Sequence, residues 1–308
     1  MNSSQVTTPP STDKTCAETN NFISRFFSKG VWHALQATFW FSVGNVCVKY
    51  AGQELPFMEV VFGRALMGLF LSFFLMRKLG VGTIFGKNKA LLMQRGIFGF
   101  IGMACSFHAM THLPLTDAMS LFYTNPIWGA LLAFIILGER LCFVSVFCIF
   151  ASLGGVVLVA RPSFLFDSSL MLDPVSVIIC LVGAMFAGLT YVVIRKIHGR
   201  ENPLTVVLYL YLIATPVSFI TMWGKWVMPD LKQFAALILL GIFTQIAQVN
   251  LVKAIAIEKT GVATSVINMQ VVFAAIWGFL IFSEIPSVYT LCGGALIVGS
   301  TIFVGRDK

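Results

Sequence analysis

The sequence predicts an all-α integral membrane protein of ten transmembrane helices, arranged as two inverted-topology repeats of five. Three observations carry that prediction. The 308 residues are 57% apolar and only 11% charged, against about 25% charged in an ordinary soluble domain. The apolar residues fall into ten runs long enough to span hydrocarbon, which takes about 20 residues each. The chain also matches itself at an offset of 145 residues, with Gly96-Ile97-Phe98 falling on Gly241-Ile242-Phe243.

The ten runs lie near 31–51, 56–76, 90–111, 116–137, 141–160, 174–194, 203–222, 234–257, 261–282 and 286–304. Helix breakers separate them, among them Gly52 to Pro56, Leu113-Pro114, Arg161-Pro162, Asn202-Pro203, Pro229-Asp230 and Pro286. Pro lacks an N–H and Gly favours non-helical backbone, so both mark ends. Joins this short make neighbouring spans antiparallel. No alternating ten-residue strands recur, which argues against a β-barrel.

Residues 1–29 differ in character. "MNSSQVTTPPSTDKTCAETNN" is rich in Ser, Thr, Asn and Pro and reads as a disordered cytoplasmic tail. It has no short apolar core of a signal peptide, and Asp13 and Glu18 argue against an organellar transit peptide. The first span is expected to act as an uncleaved insertion signal.

The net charge of +8 is distributed like that of a membrane protein. Fifteen of the 21 cations, Arg95 and Arg195 among them, fall on one side of the ten spans, and Arg161, Lys225 and Lys232 fall on the other. Positive charge concentrates in cytoplasmic loops, so both termini are expected in the cytoplasm, in a bacterial inner (plasma) membrane. The bias needs no anionic partner such as nucleic acid. Lys49, Arg64 and Lys253 remain inside spans.

The polar matches at the 145-residue offset are the informative ones: Ser120 with Ser265, Glu139 with Glu284, and Arg161 with Arg306. Five spans per half is an odd number, so the second half (163–308) enters the membrane inverted relative to the first (30–162). Inverted repeats are a common carrier architecture with the site near the midplane, between the halves.

"ACSFHAMTHLPLTDAMSLFYTNPIWGALLAFIILGER" (104–140) resembles the signature of the EamA-type drug/metabolite transporter superfamily, and "VKAIAIEKTGVATSVINMQVVFAAIWGFLIFSE" (252–284) resembles its second copy. "ARPSFLF" (160–166) and "VVIRKI" (192–197) are similar to subfamily G of solute carrier family 35 and to bacterial S-adenosylmethionine uptake transporters. The resemblance implies alternating access and a cavity lined by spans 1, 3, 4, 6, 8 and 9. It also implies a substrate among amino acids, nucleotide-type metabolites or S-adenosylmethionine.

Charged groups inside spans are functional candidates by default. Arg64 lies about eight residues into span 2. It either binds a substrate carboxylate or phosphate, or pairs structurally with Glu59 or helix-end carbonyls. In span 8, Gln245, Gln248 and Lys253 share an arc of roughly 140° at about 100° per residue. Lys253 either faces a wet cavity there or snorkels past Glu258-Lys259 to the surface. Its partner in the other copy is His108. Asn268 with Thr264 and Ser265, and Tyr123 with Ser120 and Thr124, form polar patches suited to substrate or to helix–helix hydrogen bonds. Trp40 and Tyr191 are aromatic candidates for stacking on a base or a cation, or for plain packing.

"LGG" (153–155) and "CGG" (292–294) let spans 5 and 10 approach neighbours closely, within the chain or across a homodimer face. The seven cysteines form no CxxC or zinc-type spacing. There is no HExxH, GxSxG or P-loop, so an enzyme embedded in the membrane is a poor competitor, and no cofactor or metal is implied. No Asp or Glu falls convincingly at a midplane, which favours exchange or facilitated transport over proton symport. Buried cations beside aromatic and amide groups suit a small solute bearing a carboxylate or phosphate. S-adenosylmethionine or S-adenosylhomocysteine is the specific expectation.

Overall fold

In the computed structural model, the residues described are 28–304 apart from 52–54, 82–84, 114, 140–142, 161–164, 166–171, 225 and 283–287. The expected tail (1–29) lies almost wholly outside them, as do Arg161, Glu284 and both chain ends. Among the described residues all regular secondary structure is helical.

The helices are α1 (Lys29–Ala51), α2 (Phe57–Lys78), α3 (Lys89–His112), α4 (Leu115–Phe122), α5 (Asn125–Leu137) and α6 (Phe143–Ala160). They continue with α7 (Pro174–Ile197), α8 (Pro203–Thr221), α9 (Leu231–Ile257), α10 (Thr260–Ile267), α11 (Met269–Phe282) and α12 (Val288–Val304). Their starts follow the sequence signals. Asp173 and Asn202 cap α7 and α8 with their side chains, each followed by Pro in the first turn, where its missing N–H costs nothing. The Asp173 carboxyl is held below its ordinary value by the hydroxyl and N–H of Ser176. A capping box between Asp230 and Gln233 opens α9.

Six stretches are long and apolar enough to cross a bilayer: Met58–Lys78, Asp117–Leu137, Pro174–Ile197, Pro203–Thr221, Leu231–Ile257 and Thr260–Ile281. Val146–Val159 and Val288–Phe303 are shorter apolar helices. α1 and α3 are not among the six; Lys29, His33, Gln36 and Asn45 dilute the apolarity of one, and Lys89, Arg95 and His108 that of the other. Large apolar side chains cover the outer surface, including Phe70, Ile135, Phe143 and Phe147, all more than 60% exposed. A water-facing surface would not tolerate them in such number. The protein is a multi-pass integral membrane protein.

Two of the expected spans are not continuous. The span at 116–137 breaks at Tyr123-Thr124, between α4 and α5, and the span at 261–282 breaks at Asn268, between α10 and α11. At the first break Pro126 cannot donate to the ladder, and Asn125 Nδ2 donates to the Phe122 carbonyl at 2.9 Å. The second break lacks a proline; there Asn268 Nδ2 donates across to Ser152 Oγ at 2.7 Å.

α1 runs along α9, α3 along α7, α2 along α8 and α6 along α12. Small residues set the closest approaches. A Cβ on Gly155 would stand 2.6 Å from the Gly293 carbonyl, and one on Gly293 2.6 Å from the Gly155 carbonyl. The glycines of "LGG" and "CGG" thus meet within the chain, between α6 and α12. Element bounds recur at the 145-residue offset: α4 maps onto α10 without a shift, and α6 begins at Phe143 as α12 begins at Val288.

Candidate functional site

A cavity of about 240 Å3 lies where α1, α2, α3, the α4–α5 break, α7, α8, α9 and the α10–α11 break converge. Its polar lining comprises Asn45, Arg64, Arg95, Ser106, Tyr123, Asn125, Thr190, Tyr191, Gln248 and Gln270. Its apolar wall includes Phe41, Met103, Phe122, Leu210 and Leu251. No Asp or Glu is among the lining residues.

Two guanidiniums make the cavity electropositive. Arg64 projects from α2 and Arg95 from α3. Among the described residues neither has a carboxylate partner. Glu59 does not pair with Arg64 as the sequence allowed; it is buried elsewhere and accepts the Val227 N–H at 3.2 Å. Arg95 is only 2% exposed. Its Nη2 donates to Gln248 Oε1 at 3.3 Å, while its Nε and Nη1 have no partner among the described residues. The two helix breaks meet the cavity as well. Asn125 and Gln270, in the first turns of α5 and α11, both border the cavity. The preceding helix ends, at Phe122 and Ile267, border it too, so the opposed end charges at each break largely offset, and the Thr124 and Val271 N–H groups are bonded to the Leu121 and Asn268 carbonyls. An anion is the ligand that two such guanidiniums favour.

The breaks also orient the aromatic groups. Tyr123 sits in the α4–α5 turn, and the Tyr191 hydroxyl donates to Asn125 Oδ1 at 3.2 Å. Both rings line the cavity, as does Phe122.

The sequence candidates divide into two groups. Arg64, Gln248, Tyr123 and Tyr191 line the cavity together. Gln245 does not; it is buried and its Nε2 donates to Ser72 Oγ at 2.9 Å, joining α9 to α2. Asn268 joins α10 to α6 through Ser152. Trp40 stacks on Phe243, ring centroids 5.5 Å apart and 18° from parallel. His108 stacks on His112 at 4.0 Å near the end of α3. Lys253 lies in a separate crevice with His198 and Glu201. The arc shared by the α9 polar residues is wide enough that one end reaches the cavity and the other leaves it.

Sequence reasoning missed Arg95, Asn45, Asn125 and Gln270. Arg95 was counted with the loop cations because it lies six residues into α3. The Asn125-Pro126 pair was a legible sign of a helix break inside an apolar run.

One end of the bundle is cross-linked by polar bonds. Arg195 Nε donates to Glu139 Oε1 at 2.9 Å, and Arg195 Nη1 donates to the Ala256 carbonyl at 2.6 Å. The N–H of Thr260 donates to Glu139 Oε2 at 3.2 Å. These bonds knit the ends of α5, α7 and α9 to the start of α10.

The EamA-like transporter family model matches the chain twice, at residues 28–161 and 175–306. The chain is 33% identical over 280 residues to a pseudopaline exporter of Pseudomonas aeruginosa, covering 91% of this chain and 96% of that one. It is 28% identical to human solute carrier family 35 member G1 over 89% of this chain and 78% of that one. It is 23% identical to an S-adenosylmethionine uptake transporter of Rickettsia bellii over 85% and 88% of the two chains. The chain belongs to the EamA-like transporter family, and it is a membrane transporter rather than an enzyme.

Proposed function

We propose that the protein carries a small organic anion by alternating access, as an exchanger or facilitator, with the central cavity as its substrate site. The observation that carries this reading is the pair of guanidiniums, Arg64 and Arg95, which have no carboxylate partner among the described residues, in a cavity lined without a carboxylate. Two fixed cations ask for two anionic groups, so a compact dicarboxylate, tricarboxylate or phosphorylated acid suits the site first. S-adenosylmethionine offers one carboxylate, and its sulfonium would meet two arginines with only Tyr123, Tyr191 and Phe122 as counterweight. The cavity is also small beside the about 300–1,000 Å3 usual for ligand pockets, which favours a compact solute. Amino-acid and nucleotide-type substrates rank between these.

The architecture proposed is ten spans in two inverted halves, 30–162 and 163–308, after a cytoplasmic tail (1–29). Three observations support it: the recurring element bounds, the double family match, and helix pairings that survive exchange of the halves, α1–α9 for α7–α3. Moving Arg95 out of the loop cations leaves fourteen against three, which still favours cytoplasmic termini; the bilayer proposed is a bacterial inner (plasma) membrane. A homodimer through α6 and α12 would have to use the faces left over after Gly155 and Gly293 meet each other.

Radiolabelled uptake by the purified protein in liposomes, across a panel of polycarboxylates, phosphate esters, amino acids and S-adenosylmethionine, tests the assignment. Saturable uptake of a polyanion supports it. Uptake of S-adenosylmethionine or neutral amino acids with polyanions excluded would overturn it.

A further inference from the structure

Lys253 is half-buried, lies outside the central cavity, and has no hydrogen bond or ion pair among the described residues. It borders a second crevice of about 290 Å3 between the end of α7, the start of α8 and the end of α9. The walls are mostly hydrocarbon, from Ile194, Val206, Val252 and Ile257, and His198 stands at the rim. Glu201 shares the crevice, but its Oε1 accepts the N–H groups of Lys87 at 2.7 Å and Asn88 at 2.6 Å, so its carboxylate is already engaged. Lys196 and Arg200 are exposed on the same end of α7 and the turn after it.

We propose that this crevice binds an acidic phospholipid, with the headgroup phosphate on Lys253 and His198 and part of an acyl chain against Val206 and Ile257. Depth supports a lipid. Lys253 lies one turn before the end of α9, about 6 Å of rise, which matches the junction between headgroup and hydrocarbon. Charge supports an acidic one: an ammonium with no ion pair among the described residues, flanked by exposed basic residues between helices at one membrane face, is a recurrent headgroup site. The apolar wall disfavours a soluble anion, which would leave most of the crevice unfilled. The inference needs only that the chain crosses a bilayer, and it stands apart from what the central cavity carries.

The test is thermal unfolding of delipidated protein in detergent with added phosphatidylglycerol, phosphatidylcholine or inorganic phosphate. Phosphatidylglycerol is expected to raise Tm, and the other two to leave it unchanged. Lys253→Gln is expected to lose more than half of that shift and Lys253→Arg to keep it. Ala256→Phe, which fills the crevice without touching the charge, is expected to lose it as well, and serves if Lys253→Gln does not fold. An equal shift from phosphatidylcholine, the same shift from inorganic phosphate, or a full shift in both Lys253→Gln and Ala256→Phe would overturn the assignment.

Discussion

Replacing Arg95 with Met separates a binding arginine from a structural one, because the two roles predict opposite signs for stability. In the unliganded protein Arg95 is 2% exposed, and its Nε and Nη1 lack partners among the described residues. Taking an unpaired charge out of water costs several kcal/mol, and the one bond made, to Gln248, returns about 1.5–3 kcal/mol. Arg95→Met fills a similar volume with no donors and no charge, so the substrate-free protein is expected to gain about 1 kcal/mol or more. Its Tm in detergent should therefore rise. Binding should move the other way. Losing one charge-assisted contact to an anion costs about 1.5–3 kcal/mol, or about ten- to a hundredfold in affinity. Differential scanning fluorimetry with and without the transported anion reads both effects in one experiment. A lower Tm for Arg95→Met with the ligand-induced shift intact would show that the guanidinium holds the fold and not the substrate.

Arg64→Ala should also abolish substrate-induced stabilisation while leaving the protein folded, and Arg64→Lys should recover little if the contact is a two-pronged fork, since a point charge cannot reproduce it; full affinity in either variant would remove Arg64 from the site. Arg195→Ala breaks the ion pair to Glu139 and the cap on the Ala256 carbonyl, and should cost about 1–3 kcal/mol and raise thiol reactivity at nearby engineered cysteines; unchanged Tm and reactivity would mean that the end is held together by packing alone. Gly293→Leu drives a side chain into the Gly155 carbonyl and should cost about 1–3 kcal/mol or more from overpacking, read as loss of monodisperse protein on size-exclusion chromatography. Single cysteines placed in the 223–231 loop should react with an impermeant maleimide in sealed cells, and those in the 196–202 loop should not; the reverse pattern would invert the proposed orientation.

Helix positions were legible because Pro and Gly act locally. Asn202-Pro203 opens α8 and Asp173-Pro174 opens α7 for reasons contained in those residues. The break at Asn268 was not legible, since no proline marks it and the contact its side chain makes is to Ser152, 116 residues away in sequence. The cavity shows the same limit in charge. Arg95 and Lys253 each lie about a turn or two from a helix end, so depth alone does not say which of them meets the cavity. The rotational setting of α3 against α9 turns Arg95 onto Gln248. The 140° between Gln248 and Lys253 at about 100° per residue turns Lys253 away into another crevice. Which face of a helix meets a neighbour is a packing outcome, and in a chain this apolar the hydrophobic pattern leaves that choice open.

Counterflow in liposomes tests the central claim most directly. Vesicles carrying the purified protein are loaded with an unlabelled polycarboxylate and diluted into a trace of the labelled one. The account predicts saturable uptake accelerated by the internal substrate, lost in Arg64→Ala and Arg95→Met. Uptake that rises linearly with concentration, shows no acceleration from the far side, or persists undiminished in both variants would contradict it.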